Sequence, residues 1–125
     1  MFYNPTSLYL YNPNRNIDIR VSELSFESLD ERGELSGYWF EGRRWSQFYS
    51  FVESYGCVSL EVAGEGGWLR PSQCRAFNAV VTPDQEDDIV FWTQRANVAQ
   101  FRVLWQGGEI GRCDVSASQC TAYIP

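Results

Sequence analysis

The sequence lacks two residue types that carry much of enzyme chemistry. It has no histidine, and all ten of its basic residues are arginine, so lysine is absent as well. Without lysine the chain has no amine for a Schiff base, and without histidine it has no imidazole to act as a base, a proton shuttle or a metal ligand. We therefore expect no enzymatic activity, no catalytic residues and no cofactor.

The charge balance and the apolar pattern limit the partners of the chain. Sixteen acidic residues against ten arginines give a formal net charge of −6 and a sequence pI near 4.5. Because phosphate-rich ligands need a basic surface, we expect no nucleic-acid partner. No apolar run approaches the roughly 18 residues of a membrane span, and residues 1–16 do not resemble a signal peptide. We expect no membrane span, and a domain excised from, or appended to, a larger exported protein.

Aromatic side chains are abundant. Phe, Trp and Tyr make up 16% of the 125 residues, and such residues suit a pleated, half-buried surface. Apolar and polar residues alternate in short segments separated by turn residues, which is typical of a single all-β domain, a sandwich or a barrel, over residues 1–125. The predicted strands are residues 7–11, 17–26 with a kink near Ser22 and Glu23, 57–63, 74–81, 89–93, 100–105, 109–114 and 119–124.

Two local signals refine this pattern. Four apolar residues recur at helical spacing, namely Trp45, Phe48, Tyr49 and Val52. Their spacing predicts one short helix of two turns that crosses the end of a sheet. The segment Gln106-Gly107-Gly108 predicts a tight hairpin, because glycine adopts positive φ without steric cost.

Two stretches near the start of the chain carry a family pattern. Residues 8–13 read Leu-Tyr-Leu-Tyr-Asn-Pro, an apolar strand that runs into an Asn-Pro turn, and residues 19–24 read Ile-Arg-Val-Ser-Glu-Leu after a polar stretch. Over about residues 7–26 the chain resembles the lamin-tail-like domains of the immunoglobulin fold. The resemblance implies an immunoglobulin-like antiparallel β-sandwich, here of about eight strands with one short helix, that serves in binding.

The four cysteines, Cys57, Cys74, Cys113 and Cys120, contain no Cys-x-x-Cys pair, so neither a zinc ribbon nor a thioredoxin motif is present. Four cysteines allow three disulfide connectivities. The short separations favour sequential pairing, Cys57 with Cys74 and Cys113 with Cys120. Two bridges would indicate an extracellular or cell-surface location, whereas four free, buried thiols would indicate the cytoplasm.

One acidic loop is a weak candidate for a hard cation. It carries Asp84, Glu86, Asp87 and Asp88, and calcium takes oxygen ligands of this kind. Their spacing departs from that of an EF-hand loop and provides no glycine at its sharp turn. A solvated run of charge explains the segment better, and we predict no metal.

Some of the aromatic residues are candidates for a recognition surface. Tyr38, Arg43, Trp68 and Arg70 combine aromatic rings with arginine, a pairing that is enriched at interfaces. Three further tryptophans lie in apolar, strand-like runs and are predicted to be in the core, namely Trp39, Trp92 and Trp105.

These observations favour a non-enzymatic binding or adhesion module whose partner is a protein. One alternative is a structural subunit that assembles with itself into a filament, virion or surface layer, with residues 1–11 adding as a strand to a neighbouring copy. A second alternative is a carbohydrate-binding module that stacks glycans on exposed aromatic rings.

Overall fold

The computed structural model describes residues 1–46, 50–62, 71–81 and 90–125, with only the backbone described for residues 45, 46 and 76–81. Within these residues the chain forms ten strands, a 3₁₀ turn at Val21–Glu23 and a one-turn helix, α1 (Arg43–Ser46). The strands are β1 (Phe2–Asn4), β2 (Ser7–Tyr11), β3 (Ile19–Arg20), β4 (Leu24–Leu29), β5 (Leu35–Glu41), β6 (Phe51–Val52), β7 (Gly56–Glu61), β8 (Ala76–Val81), β9 (Gln100–Trp105) and β10 (Gly108–Asp114).

The strands form an all-β, sandwich-like fold, as predicted. One four-stranded sheet has the order β1-β2-β7-β8, a second has the order β10-β9-β4-β5, and β3 pairs with β6 in a small third sheet. All pairs are antiparallel except β7 with β8, which is parallel. Ten strands replace the expected eight. Four of them were not predicted as separate strands: β1 and β6 are only two or three residues long, the 3₁₀ turn separates β3 from β4, and β5 begins in a polar stretch without regular alternation.

Aromatic rings fill the core between the two larger sheets. Phe91 stacks on Phe26 with ring centroids 4.7 Å apart and meets the edge of Phe101 at 5.2 Å. Trp92 is 1% exposed, as predicted, and Trp105 packs partly buried against the same cluster. Aromatic residues therefore supply the bulk that Leu and Ile supply in many other small domains.

Two local predictions are confirmed. The expected kink near Ser22 and Glu23 is the 3₁₀ turn at Val21–Glu23, where the inward face changes phase by one residue. The hairpin between β9 and β10 has positive φ at both central residues, 50° at Gln106 and 82° at Gly107, the pattern of a type I′ turn.

Three other predictions are wrong. Residues 90–93 form no strand: Val90, Phe91 and Trp92 are a continuous apolar run without alternation, and all three side chains are buried. Residues 119–124 are irregular apart from one bridge between Phe2 and Gln119. The predicted helix does not reach Val52, which lies in β6 opposite Ile19. Among the described residues the helical turn is Arg43–Ser46, and Phe48 and Tyr49 lie outside them.

The Asn-Pro turn after β2 is fastened by one buried side chain. The amide of Asn12 donates to the carbonyls of Ile17 at 2.6 Å and Val52 at 3.0 Å, and its Oδ1 accepts from the backbone of Asn14 at 3.0 Å. All of its polar groups are therefore used, which explains how a fully buried amide is tolerated.

Both predicted disulfides are present. Cys57 pairs with Cys74, with Cα atoms 5.5 Å apart, and Cys113 pairs with Cys120 at 5.8 Å. Two bridges favour an oxidising, extracellular environment. Among the described residues, no helix is long and apolar enough to cross a membrane.

Candidate functional site

Strand β5 lies at the edge of its sheet. Its register with β4 places Phe40 opposite Phe26 and Trp39 opposite Glu27, and Gly42 donates to the carbonyl of Leu24 at 2.6 Å just beyond the strand. Bonded and non-bonded pairs alternate along an antiparallel ladder, so the main-chain groups of Trp39 and Glu41 point away from β4. No strand in the described part of the chain pairs with this outer side of β5.

A bulge divides this edge into two parts. The register between β4 and β5 shifts between Glu27 and Leu29, and Gly37 adopts φ of 98°, a conformation that glycine adopts readily. The buried hydroxyl of Ser28 holds the bulge, because it accepts from the Tyr38 amide at 3.0 Å and from the Ser36 hydroxyl at 2.7 Å. The regular stretch of free edge therefore runs from Tyr38 to Glu41.

Trp39 is the exposed aromatic residue of this edge. Its side chain is 49% exposed, which contradicts the prediction that it belongs to the core. The reason is the alternation along β5: Phe40, which is 1% exposed, takes the inward position, so Trp39 must face outward. Leu35, at the other end of β5, is also exposed. We call Leu35–Glu41 with its unpaired side the β5 edge.

Charged residues cover the sheet face next to Trp39. Arg102 contacts Glu27 at 3.0 Å and Glu109 at 3.7 Å, and Arg112 contacts Glu109 at 2.9 Å. The hydrogen bond from Arg112 lowers the pKa of the Glu109 carboxyl, with a further contribution from the positive charge of Arg102. The outer face is thus a network of paired charges with an apolar ring at its margin.

The predicted recognition residues lie in different settings. Tyr38 lies on β5 and packs against the core, with the Arg95 guanidinium 4.5 Å above its ring. Arg43 follows the same strand, is exposed and contacts Glu41 at 3.0 Å. The structure therefore places Tyr38 and Arg43 at the β5 edge. Trp68 and Arg70 lie outside the described residues.

A second feature is an open cleft at one end of the sandwich, which we call the loop cleft. Its volume is about 650 Å³, and it is lined by residues 30–32 after β4, residues 94–99 before β9 and residues 115–116 after β10. Sequence reasoning missed it, because the three segments are far apart in the chain. The one local signal is the polar stretch Asp30-Glu31-Arg32 after Leu29.

The carboxyl group of Asp30 shapes one wall of this cleft. Its Oδ1 accepts from the backbone amides of Arg32 at 2.8 Å and Glu34 at 3.0 Å. The hydrogen bond from Glu34 is the largest of the effects that lower the pKa of Asp30, and those from the Arg32 backbone and side chain add to it. Asp30 therefore remains an ionised acceptor under mildly acidic conditions.

No metal centre is evident in the parts of the chain that the structure describes, where no three acidic or cysteine side chains converge. The acidic candidates Asp84, Glu86, Asp87 and Asp88 lie outside those parts.

Comparison of the chain with known proteins found no matching family model, no matching curated protein and no matching solved structure.

Proposed function

We propose that the protein is a non-enzymatic protein-interaction module that binds an extended segment of a partner protein as an added strand on the β5 edge. The observation that carries this proposal is the outward-facing main chain of Trp39 and Glu41 beside an exposed tryptophan. Main-chain pairing supplies affinity in strand addition, and side chains on alternate positions supply specificity. An exposed Trp is a residue type on which binding energy concentrates.

The charge of the chain indicates the partner's chemistry. A net charge of −6 attracts cationic segments over several ångströms and repels further copies of the same chain. At the β5 edge, Glu41 forms an ion pair with the exposed Arg43, and an ion pair of this kind contributes little to stability. A basic residue of the partner can therefore replace Arg43 next to Glu41, while an apolar residue of the partner packs on Trp39.

The same observations weigh against self-assembly through the amino-terminal segment. Residues 1–11 include β1 and β2 of the chain's own sheet, and β2 is buried between β1 and β7. This segment cannot serve as a donor strand unless the first sheet opens. Self-assembly through β5 remains a separate outcome that the experiment below distinguishes.

We further infer that the sandwich is immunoglobulin-like, related to lamin-tail domains, and works outside the cytoplasm. The support is the buried strand β2, which carries the motif of residues 8–13, the two face-packed four-stranded sheets and the two disulfides. Such modules present binding surfaces on a rigid scaffold, which fits a role in adhesion.

The test selects peptides and then blocks the edge. A displayed library of ten-residue peptides is panned against the oxidised protein, and the affinity of enriched peptides is measured by calorimetry. Glu41→Pro removes an outward amide without removing a bond to β4, so we expect it to weaken binding at least about tenfold. Glu41→Ala keeps that amide and removes the carboxylate. It is the matched control, and because an exposed ion pair contributes little, we expect its loss of affinity to stay below about threefold. Trp39→Ala should weaken binding about tenfold or more.

The results separate the alternatives. Each variant is checked by thermal unfolding, so that loss of binding is not confused with loss of fold. Unchanged binding by a folded Glu41→Pro variant, or no enrichment of alternating apolar and basic sequences, would overturn the proposal. Light scattering that shows growth with concentration in the wild type, abolished by Glu41→Pro, would assign the β5 edge to self-pairing instead.

A further inference from the structure

Hydrogen bonds of the backbone hold the walls of the loop cleft in place. Beyond the Asp30 contacts, the Val98 amide donates to the Arg95 carbonyl at 3.1 Å and the Ala99 amide to the Leu29 carbonyl at 2.9 Å. The Val115 amide donates to the Ala99 carbonyl at 3.2 Å, which joins the segment after β10 to the segment before β9. The three segments that line the cleft are therefore bound to themselves and to each other, and ligand binding would cost little ordering of the loops.

The lining charges of the cleft balance. Asp30 and Glu31 contribute two negative charges, and Arg32 and Arg95 contribute two positive ones. An anionic ligand would need an excess of arginine and a cationic ligand an excess of carboxylate, so the balance favours a neutral ligand. The remaining polar lining, which includes the Gln94 amide, adds both donors and acceptors.

The apolar part of the lining is small. It consists of alanine and valine side chains, and Val98 is buried. A peptide would need a deep apolar pocket for an anchoring side chain, and none of the described lining residues provides a large one. A hydroxyl group both donates and accepts, so a ligand rich in hydroxyls matches walls that alternate guanidinium, amide and carboxylate groups.

The cleft continues into a smaller hollow. This hollow has a volume of about 300 Å³ and shares Gln94, Val115 and Ser116 with the cleft. Its far wall includes the fixed indole of Trp92, whose Nε1 donates to the carbonyl of Asn4 at 3.0 Å. Two joined hollows suit a chain of several units better than a single small molecule.

We propose that the loop cleft and the adjoining hollow bind a neutral, linear oligosaccharide. The binding is through hydrogen bonds from the polar walls. It differs from the stacking on exposed aromatic rings that the sequence offered as a second alternative, since the described lining of the cleft contains no aromatic residue and Tyr3 and Trp92 in the hollow are almost fully buried. The site is distinct from the β5 edge, so the module would hold a glycan with its loops and a protein segment with its edge strand.

The test begins with a glycan microarray that carries neutral linear oligosaccharides beside sialylated and sulfated ones. The neutral oligosaccharide with the strongest signal is then titrated by calorimetry and by chemical-shift mapping. Gln94 lines both hollows, so the Gln94→Ala, Ser116→Ala double variant should weaken binding at least about tenfold, the loss expected for about 1.4 kcal/mol of hydrogen bonding. Gln73→Ala changes an exposed glutamine outside the loop cleft and the hollow, and it should leave the affinity for the oligosaccharide within about twofold of the wild type.

The controls keep this proposal separate from the proposed function. Glu41→Pro should bind the oligosaccharide as the wild type does, whatever its effect on peptides. The proposal is overturned if no neutral glycan binds above background, if acidic glycans bind instead, if shifts map away from residues 30–32 and 94–99, or if the double variant binds unchanged. Chemical-shift changes in the loop cleft that only a library peptide causes would also overturn the assignment of a glycan to this site.

Discussion

The two sides of the sandwich end in different ways. On one side, the segment after β10 crosses to β1: Tyr3 donates to the Ser118 carbonyl at 2.8 Å, and the Cys113–Cys120 bridge closes the loop. On the other side, β5 has a bulge and an exposed tryptophan, and no strand in the described part of the chain pairs with its outer side. An open edge invites uncontrolled pairing, and proteins usually cover it or interrupt it. Here a segment held by a disulfide covers one edge, and a bulge shortens the other edge but leaves it accessible.

The largest expected effect concerns the anchor of the open side. Gly42 ends β5 against the 3₁₀ turn, and a Cβ atom there would overlap the carbonyl oxygens of Val21 and Leu24. Backbone atoms cannot move aside as a side chain can, so Gly42→Ala should lower the free energy of unfolding by about 3 kcal/mol. Urea unfolding measures this value.

A matched glycine on the closed side is the control for that variant. At Gly111 in β10, an added Cβ would lie 3.2 Å from the Ala122 side chain, in an irregular segment outside the sheets. Gly111→Ala should therefore change the free energy of unfolding by less than about 1 kcal/mol. Equal losses at the two glycines would show that the close approach at Gly42 does not anchor β5.

The second prediction concerns the Cys113–Cys120 bridge of the closed side. In the loop-entropy model, loss of the Cys113–Cys120 bridge should lower the free energy of unfolding by about 2.5 kcal/mol. The double variant Cys113→Ala, Cys120→Ala should also free the edge of β1, so light scattering should show association that increases with concentration. The Cys57→Ala, Cys74→Ala variant is the control, since it should lose comparable stability and stay monomeric. Association in both variants would mean that instability, rather than the uncovered edge, is its cause.

The regular strands on both sides of the sandwich could be predicted from the sequence, and the irregular segments could not. Strand β9 was predicted at its observed bounds, because inward Phe101 and Val103 alternate with outward polar neighbours. The sequential disulfides were also predicted, since short loops bring their ends together. Residues 119–124 were predicted to form a strand. In the structure a bridge and a few hydrogen bonds hold this segment without a ladder, and a local sequence pattern cannot distinguish the two cases.

The candidate sites were less predictable because they depend on tertiary structure. Whether Trp39 is buried depends on which of two adjacent aromatic residues faces inward, and the bulge at Gly37 sets that phase through the buried hydroxyl of Ser28. The loop cleft depends on three segments brought together by tertiary pairing. Alternation within one strand contains neither kind of information.

The third prediction concerns the bulge of the open side. Ser28→Ala leaves the amide of Tyr38 without its acceptor in a buried position, which should lower the free energy of unfolding by about 2 kcal/mol. Amide hydrogen exchange at Tyr38 should become faster, whereas exchange at Phe101 on β9 should change little. Ser36→Ala removes only the second hydroxyl and keeps the Tyr38 contact, so its effect should be smaller. Equal exchange rates in the two variants would mean that the hydroxyl of Ser28 does not hold the bulge.

The smallest expected effect lies on the closed side, where the hydroxyl of Tyr3 donates to the carbonyl of Asp114 at 2.5 Å. Burial, with a contribution from the charge of Asp114, raises the pKa of Tyr3 from 10.0 to about 12. The folded state thus favours the neutral phenol, and this contribution to stability is complete below pH 10 and is lost as the pH rises towards 12. At pH 7, Tyr3→Phe should cost about 1 kcal/mol for one hydrogen bond.

Urea unfolding of Tyr3→Phe and the wild type at pH 7, and again at several values between about 10 and 12, tests both parts of this prediction. The difference between the two proteins should shrink as the pH rises, because the ionised phenol can no longer donate to the Asp114 carbonyl and its burial opposes folding. Tyr123→Phe, at a side chain that is 80% exposed, is the control and should follow the wild type throughout. A non-zero difference that stays constant with pH would mean that folding does not raise the pKa of Tyr3. No difference at pH 7 would mean that Tyr3 stabilises the closed side by packing alone and that its hydrogen bond to Asp114 adds nothing.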